Sequence, residues 1–374
     1  MMKQWMGKST IALLFIFFTL AYSKTVDLTS SDPLPNQLPN LPQAVSNNAA
    51  AQVSIAGKTY IASFNGLGKE KDLASLTSSA YLFESDQKQW KALPNVPGNQ
   101  GVLASSAVGL NGALWVIGGY TVAKDHSEFS TPHIYRITPP WDHYQLETQM
   151  PTPVDDTVAL TWKQRFLVLV SGWSNDGNVD LIQLYDAKQK VWQPSIKFPG
   201  QTVFGHSGAI LNDKILILDG VGVVGRINGK RQFAAISQAW LGTIQSSPTI
   251  HIDWKRISDH PGKPRYRMGA ISLAQNGWMI FLGGSENPYN YNGIGYDSVP
   301  SEPASSLLIF DVNQQCWLKN KIQGPEVMDL RGLILWKQQI SALGGMGKNQ
   351  QVLDKISEIK LQDMQVEGCI PVQS

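Results

Sequence analysis

The chain is short of cysteine, of charge and of long apolar runs, and each shortage excludes something. Only two of its 374 residues are cysteine, Cys316 and Cys369. They allow one disulfide at most, or else two free thiols. The six histidines, His126, His133, His143, His206, His251 and His260, are scattered, so no spacing suggests a metal site. Charged residues make up 16% of the chain and the formal net charge is +2, which leaves no basic field of the kind that marks a nucleic-acid binder. The apolar run from Ile11 to Leu20 falls short of the ~20 residues that a spanning helix needs.

What the chain has in plenty is glycine (33), proline (21) and apolar residues (43%). Low charge with many turns fits an all-β protein, and a pattern near Ser105 to Tyr120, SSAVGLNGALWVIGGY, says which kind. It is an apolar strand, an Asn-Gly turn, a second apolar strand and a diglycine. Copies end at Asn65-Gly66, Gly118-Gly119, Ser171-Gly172, Asp219-Gly220, Gly283-Gly284 and Gly344-Gly345. The spacing is about 50 to 60 residues, a period that marks a repeat architecture. A strand ending in an aromatic or Asp follows most copies, and then a Trp. Tyr185-Asp186 with Trp192 and Phe310-Asp311 with Trp317 are the clearest; Phe83 with Trp90, Tyr135 with Trp141 and Trp240 with Trp254 are looser.

These residues resemble kelch-repeat β-propellers over nearly the whole chain. The resemblance implies six blades, each a four-stranded antiparallel sheet packed face to face with its neighbours. The diglycines would lie where strands crowd near the axis, and the tryptophans would wedge between blades. The blades are expected at about 49–97, 105–151, 156–199, 206–261, 265–325 and 328–361. The last repeat strand, Asp354 to Leu361, has no Trp and no Leu-Pro tail after it. The Leu-Pro pairs at 34–35, 38–39 and 41–42 match those that follow the repeat Trp elsewhere. The N-terminal segment is therefore expected to complete the sixth blade and close the ring, which removes an open sheet edge.

Residues 1–23 read as a secretory signal: Lys3 and Lys8, the short apolar core, then small residues at Ala21-Tyr22-Ser23. Residues 24–374 then form one propeller domain, periplasmic or secreted, with no membrane span after cleavage. An oxidising compartment permits a Cys316–Cys369 disulfide.

Ligands of propellers commonly sit where loops from all blades converge on the axis. The segments that enter each first strand offer Asn48, Gln100, Ser105, Asp155, Asp156, His206, Arg265, Arg267, Asp329 and Arg331. Arginines from two blades suit an anion, since guanidinium pairs with carboxylate in a bidentate way. Their plain alternative is structural, as bridges between blades. Asp156, Glu286 and His206 are the candidates for proton transfer. The insertion Ser285–Ala304, SENPYNYNGIGYDSVPSEPA, alternates tyrosine with asparagine. Asn287, Tyr289 and Tyr291 could stack on and hydrogen-bond to a sugar, or pack upon one another as surface cover; a loop of this length is more often functional than idle.

An exported kelch propeller of this length resembles the periplasmic N-acetylneuraminate epimerase (sialic acid mutarotase) family. That resemblance implies a small, anionic carbohydrate as partner, no cofactor, and interconversion of its anomers. Arg267 and Arg331 would hold the sugar carboxylate, and Glu286 or Asp156 would move the proton. Galactose oxidase shares the repeat, but its copper site needs a Tyr–Cys cross-link that neither cysteine is placed to supply. The remaining alternative is a propeller that binds a glycan or a protein of the cell envelope without catalysis.

Overall fold

The computed structural model describes residues 1, 36–98, 100–247 and 249–370. The expected signal segment therefore lies, apart from Met1, outside the described residues. The described chain is a six-bladed propeller built almost wholly of antiparallel strands. Blade one pairs Ala49–Ile55, Lys58–Leu67, Leu76–Glu84 and Lys91–Ala92 in that order. Blades two and four repeat this with Ser106–Leu110 and Ser207–Leu211 as first strands. In blade three, Val191–Trp192 and Ile196–Lys197 both pair with Leu181–Asp186. Blade five gains a fifth strand, Val366–Cys369, beside Cys316–Asn320. A Cys316–Cys369 disulfide joins the two.

Blade six has three paired strands, Ile334–Trp336, Gln339–Leu343 and Ile356–Lys360. The N-terminal segment runs beside them, as the repeat implied. It makes no continuous ladder: Leu41 and Val45 donate to the carbonyls of Asp354 and Leu353 at 2.8 and 3.0 Å. Pro39 and Pro42 have no N–H to add. Leu38, Leu41 and Val45 instead act as a wedge. They pack against Ile61 and Phe83 of blade one and Ile334, Trp336 and Leu343 of blade six.

The outer tryptophans hold each of the first five blades to the one before it in the ring. Trp141 packs on Tyr60, with ring centroids 5.0 Å apart, and Trp254 on Phe198 at 5.4 Å. Trp192 donates to Thr148 Oγ1 at 3.1 Å, Trp317 to the Ser258 carbonyl at 3.0 Å, and Trp90 to the Pro39 carbonyl at 2.8 Å. These last three are large apolar bodies whose one polar handle finds a partner, whereas the Trp254 Nε1 is buried without one.

Both residues of every diglycine have positive φ. The first position also admits Ser171, and Asn65 and Asp219, the latter two of types that tolerate the left-handed region better than most. The second is always glycine. A Cβ on Gly66, Gly119, Gly172, Gly284 or Gly345 would come within 2.5 to 2.7 Å of a backbone carbonyl oxygen on the segment entering the first strand.

That entering segment carries a second repeat, written in backbone rather than in residue type. Asn47, Ala104, Asp156, Gly205, Arg267 and Asp329, one per blade, all lie at φ between 50° and 66°. Their backbones link into a belt around the axis. Asp156 N donates to Ala104 O at 3.0 Å, Gly205 N to Asp156 O at 2.9 Å, and Arg267 N to Gly205 O at 2.8 Å; Leu330 N donates to Arg267 O at 3.2 Å. Asn47 closes the belt with its side chain: Oδ1 accepts from Ala104 N, and Nδ2 donates to Asp329 Oδ1 at 3.1 Å. Asn47→Ala removes both bonds, strands a buried amide and puts alanine in the left-handed region. A loss of about 2–4 kcal/mol is expected, read as a lower urea midpoint; an unchanged midpoint would mean that the wedge of Leu38, Leu41 and Val45 closes the ring alone.

Candidate functional site

The belt's side chains meet at the axis. Arg267 Nη2 lies 2.6 Å from Asp156 Oδ2 and its Nη1 2.8 Å from Asp329 Oδ1, all three side chains being almost fully buried. Tyr266 donates to Asp156 Oδ2 at 3.2 Å. The Arg267 guanidinium also stands 4.5 Å from the Tyr266 ring centroid and 5.5 Å from that of Tyr289. Burial works against its charge, but Tyr266, Asp329 and Tyr289 more than offset it. Gly205 is glycine because the Tyr266 ring occupies the place of its Cβ, at 2.0 Å.

Arg331 reaches the same cluster from the start of blade six's first-strand segment. Its Nη1 pairs with Asp156 Oδ1. Its Nε and Nη2 are buried without a partner. Burial draws this guanidinium down to about 10, with Tyr120 and Asp155 pulling the other way. It remains a cation at neutral pH with hydrogen-bonding capacity to spare.

Asp155, next in sequence to Asp156, has a different setting. It stands in an extended bridge opposite Trp173, and its Oδ2 accepts from Ser130 Oγ at 2.6 Å. Burial pushes its carboxyl up to about 7; the Ser130 bond and the Arg331 and Arg267 charges oppose the shift, and Glu128 adds to it. Glu128 is exposed at the rim and is itself raised by the protein around it, with Arg267 opposing. Tyr120 and Tyr296 feel the same charges, and burial lifts Tyr296 to about 12.

The connections between second and third strands build the rim above this cluster. Those of blades two to four are hairpins: Tyr120–Val122 with Glu128–Ser130, Trp173–Ser174 with Gly177–Asn178, and Val221–Ile227 with Lys230–Ala235. In blade five the connection is the 285–304 loop. It spans the mouth: Tyr291 packs into the apolar group of Leu103 and Tyr120, Tyr296 lies 4.5 Å from Phe233, and Ser301 O accepts from Gln350 Nε2 at 2.8 Å. Below the belt, the first strands line a channel of about 490 Å³. Thr157, His206 and Arg331 are on its wall.

Of the residues singled out in the sequence, Asp156, Arg267 and Arg331 come together. Tyr289 joins them, fully buried behind Arg267 with its hydroxyl unpartnered. His206 lies on the channel wall. Its Nε2 donates to the Val170 carbonyl at 2.8 Å, Nδ1 has no partner, and burial lowers its pKa to about 4. Arg265 stands apart between blades four and five, where its Nη1 reaches the Ser306 carbonyl at 3.4 Å. Glu286 is on the surface, 3.0 Å from Lys263. Asn287 bonds within its own loop, to Asp297 Oδ1 at 3.1 Å, and Tyr291 covers the rim half-buried. Asn48 and Ser105 bond internally to Ser63 and Asn65, Asp329 is part of the belt, and Gln100 is exposed. Sequence reasoning did not find Glu128, Ser130 or Tyr120, which a hairpin without a motif brings to Asp155. Among the described residues no group of three or more His, Cys, Asp or Glu is placed to hold a metal ion.

No family model matches this chain, and no curated protein matches it. Among solved structures, that of YjhT superposes with a TM-score of 0.69 at 13% identity, over 88% of this chain and 99% of that one. At that identity the likeness is one of fold.

Asp155 and His206 should tilt the pH dependence of stability in opposite directions. The folded pKa of Asp155 is raised, so stability falls as pH rises from about 4 to about 7. The folded pKa of His206 is lowered, so stability falls as pH drops from about 6.5 to about 4. Relative to the parent, Asp155→Asn is expected to gain stability as pH climbs through the first window, and His206→Gln as it drops through the second. Thermal melts between pH 4 and 8 check both signs; parallel curves would mean that neither group shifts on folding.

Proposed function

We propose that the protein is an exported, carbohydrate-directed propeller that interconverts the anomers of an acidic sugar of the N-acetylneuraminate type. The observation that carries this is a guanidinium with unused donors, Arg331, within electrostatic reach of a buried carboxyl raised to about 7, Asp155. The fold likeness to YjhT is compatible with the reading and adds nothing specific to it.

The roles differ from those implied by the family resemblance. Arg267 is held by two carboxylates and has a bridging task. Glu286 is too far out on the surface to share a substrate with the axis. Arg331 is the residue with donors left for a sugar carboxylate. Asp155, ionised in part at neutral pH, takes the proton from the anomeric hydroxyl. The anomeric carbon–ring oxygen bond breaks as the carbonyl forms, and Glu128 protonates the ring oxygen. Reclosure on the other carbonyl face runs the same transfers backwards, so no electrons or atoms are gained. A non-catalytic glycan-binding propeller is the second reading. It is favoured by the saturation of Arg267 and by the tight packing of Tyr289 and Asn287.

The test adds purified protein to freshly dissolved α-N-acetylneuraminate and follows the C3 proton signals of the two anomers by NMR. The parent is expected to speed equilibration well beyond buffer. Arg331→Ala and Asp155→Asn should each slow it at least tenfold while keeping the propeller's circular dichroism. No acceleration by the parent, together with saturable binding of the same sugar, would replace the enzyme reading with the binding one.

A further inference from the structure

The hairpin of blade four does something that no other rim element does. Of the fifteen residues 221–235, VGVVGRINGKRQFAA, none is acidic and three are cations. Its base is buried: Val221 and Gly222 are closed off, and Phe233 packs on Phe204. From Val223 to Lys230 every residue is exposed. Val223, Val224 and Ile227 are 39%, 57% and 61% exposed. The strands pair, with one shift of register at Val224, up to Ile227 with Lys230, around a tight turn at Asn228-Gly229 where both φ angles are positive. This is a paired hairpin that projects into solvent.

Its chemistry is amphipathic at the tip. Arg226 bonds the Gly229 carbonyl, and among the described residues neither it nor Lys230 has an ion pair with a carboxylate. Arg231 is turned back, with its guanidinium on the Asp176 carbonyl and over the Trp173 ring. Three aliphatic side chains and two uncompensated cations therefore face solvent together. Single exposed aliphatics need no explanation, but a cluster on an exposed strand invites association. The one-residue bulge at Val224 interrupts the ladder and blunts this strand as an edge for another chain. The partner that complements this tip is a surface that takes apolar side chains without taking backbone hydrogen bonds, and that carries negative charge. Phe129, 55% exposed on the blade-two hairpin, projects from the same end of the ring.

We propose that this hairpin tip docks on an anionic lipid bilayer, with Val223, Val224 and Ile227 entering the interfacial layer and Arg226 and Lys230 meeting lipid phosphates. Apolar burial and headgroup attraction together give reversible, salt-sensitive binding of this type. The inference does not depend on the mouth being catalytic.

Co-sedimentation with vesicles of phosphatidylcholine containing about a third phosphatidylglycerol, against phosphatidylcholine alone, reads it. The full chain is expected to partition several-fold more to the anionic vesicles, and less as salt rises. Val224→Asp with Ile227→Asp, and separately Arg226→Glu with Lys230→Glu, should each cut that partition at least tenfold with unchanged melting, since every one of these side chains is exposed. The apolar run 11–20 is common to all variants, so a loss on substitution belongs to the hairpin. A Val224→Trp probe should shift its fluorescence to the blue on anionic vesicles. Binding that survives both double variants overturns the proposal. So does binding lost only on charge reversal with no blue shift, which would mean adhesion to a polyanion without insertion. Sedimentation without vesicles would point to a second copy of the chain as the occupant, and also overturns it.

Discussion

One buried guanidinium, Arg267, ties the two halves of the ring across the axis. It comes from blade five and is met by Asp156 of blade three and Asp329 of blade six. A charge this deep is costly unless paired and hydrogen-bonded, and breaking such a pair leaves an uncompensated ion. The cluster therefore stabilises one arrangement of blades strongly against any that separates them. The belt does the same with neutral groups, passing a backbone hydrogen bond from blade to blade and closing through Asn47. Because Arg267 is fully used in this way, the chemistry open to a ligand is displaced onto its neighbours, Arg331 and Asp155.

The repeat was legible because it is written in residue types that geometry demands. A second-position glycine meets a carbonyl in almost every blade, and a Trp spans each blade boundary but the last. The belt was not legible. Its six positions share a conformation, and Asn47, Asp156, Gly205 and Asp329 are types that favour it, but Ala104 and Arg267 are not. The candidate arginines were separable only by their partners. Arg265 and Arg267 are two residues apart, yet one is buried between blades four and five and the other lies at the axis. Glu286 follows the diglycine closely in sequence, but its loop carries it outward to Lys263.

The propeller's two ends differ for a topological reason. In a four-stranded meander, the turns between first and second strands leave at one end and those between second and third at the other. The former are tight: Asn111-Gly112 and Lys337-Gln338 each make a two-residue turn at positive φ, and blade three turns in three residues, Lys163 to Arg165. The latter emerge just past the diglycines, beside the belt, and the three hairpins and the 285–304 loop are found there. Elaboration of that end adds side chains above the belt without disturbing the strands below it. So the three hairpins and the 285–304 loop can differ in sequence while the ring beneath them repeats.

Asp155 and Asp156 show how this arrangement separates a structural carboxylate from one suited to chemistry. They are adjacent residues of one type. Asp156 sits at φ 50° and turns its carboxylate to the axis, where Arg267, Arg331 and Tyr266 surround it. Asp155 is in an extended bridge and faces the rim, where its hydrogen-bond partner is the Ser130 hydroxyl. The first is fixed by direct ion pairs. The second feels the same arginines at longer range, too weakly to offset burial, and so stays near neutrality. A single backbone step between the left-handed and extended regions thus assigns one carboxylate to holding the ring and leaves the other free to exchange a proton.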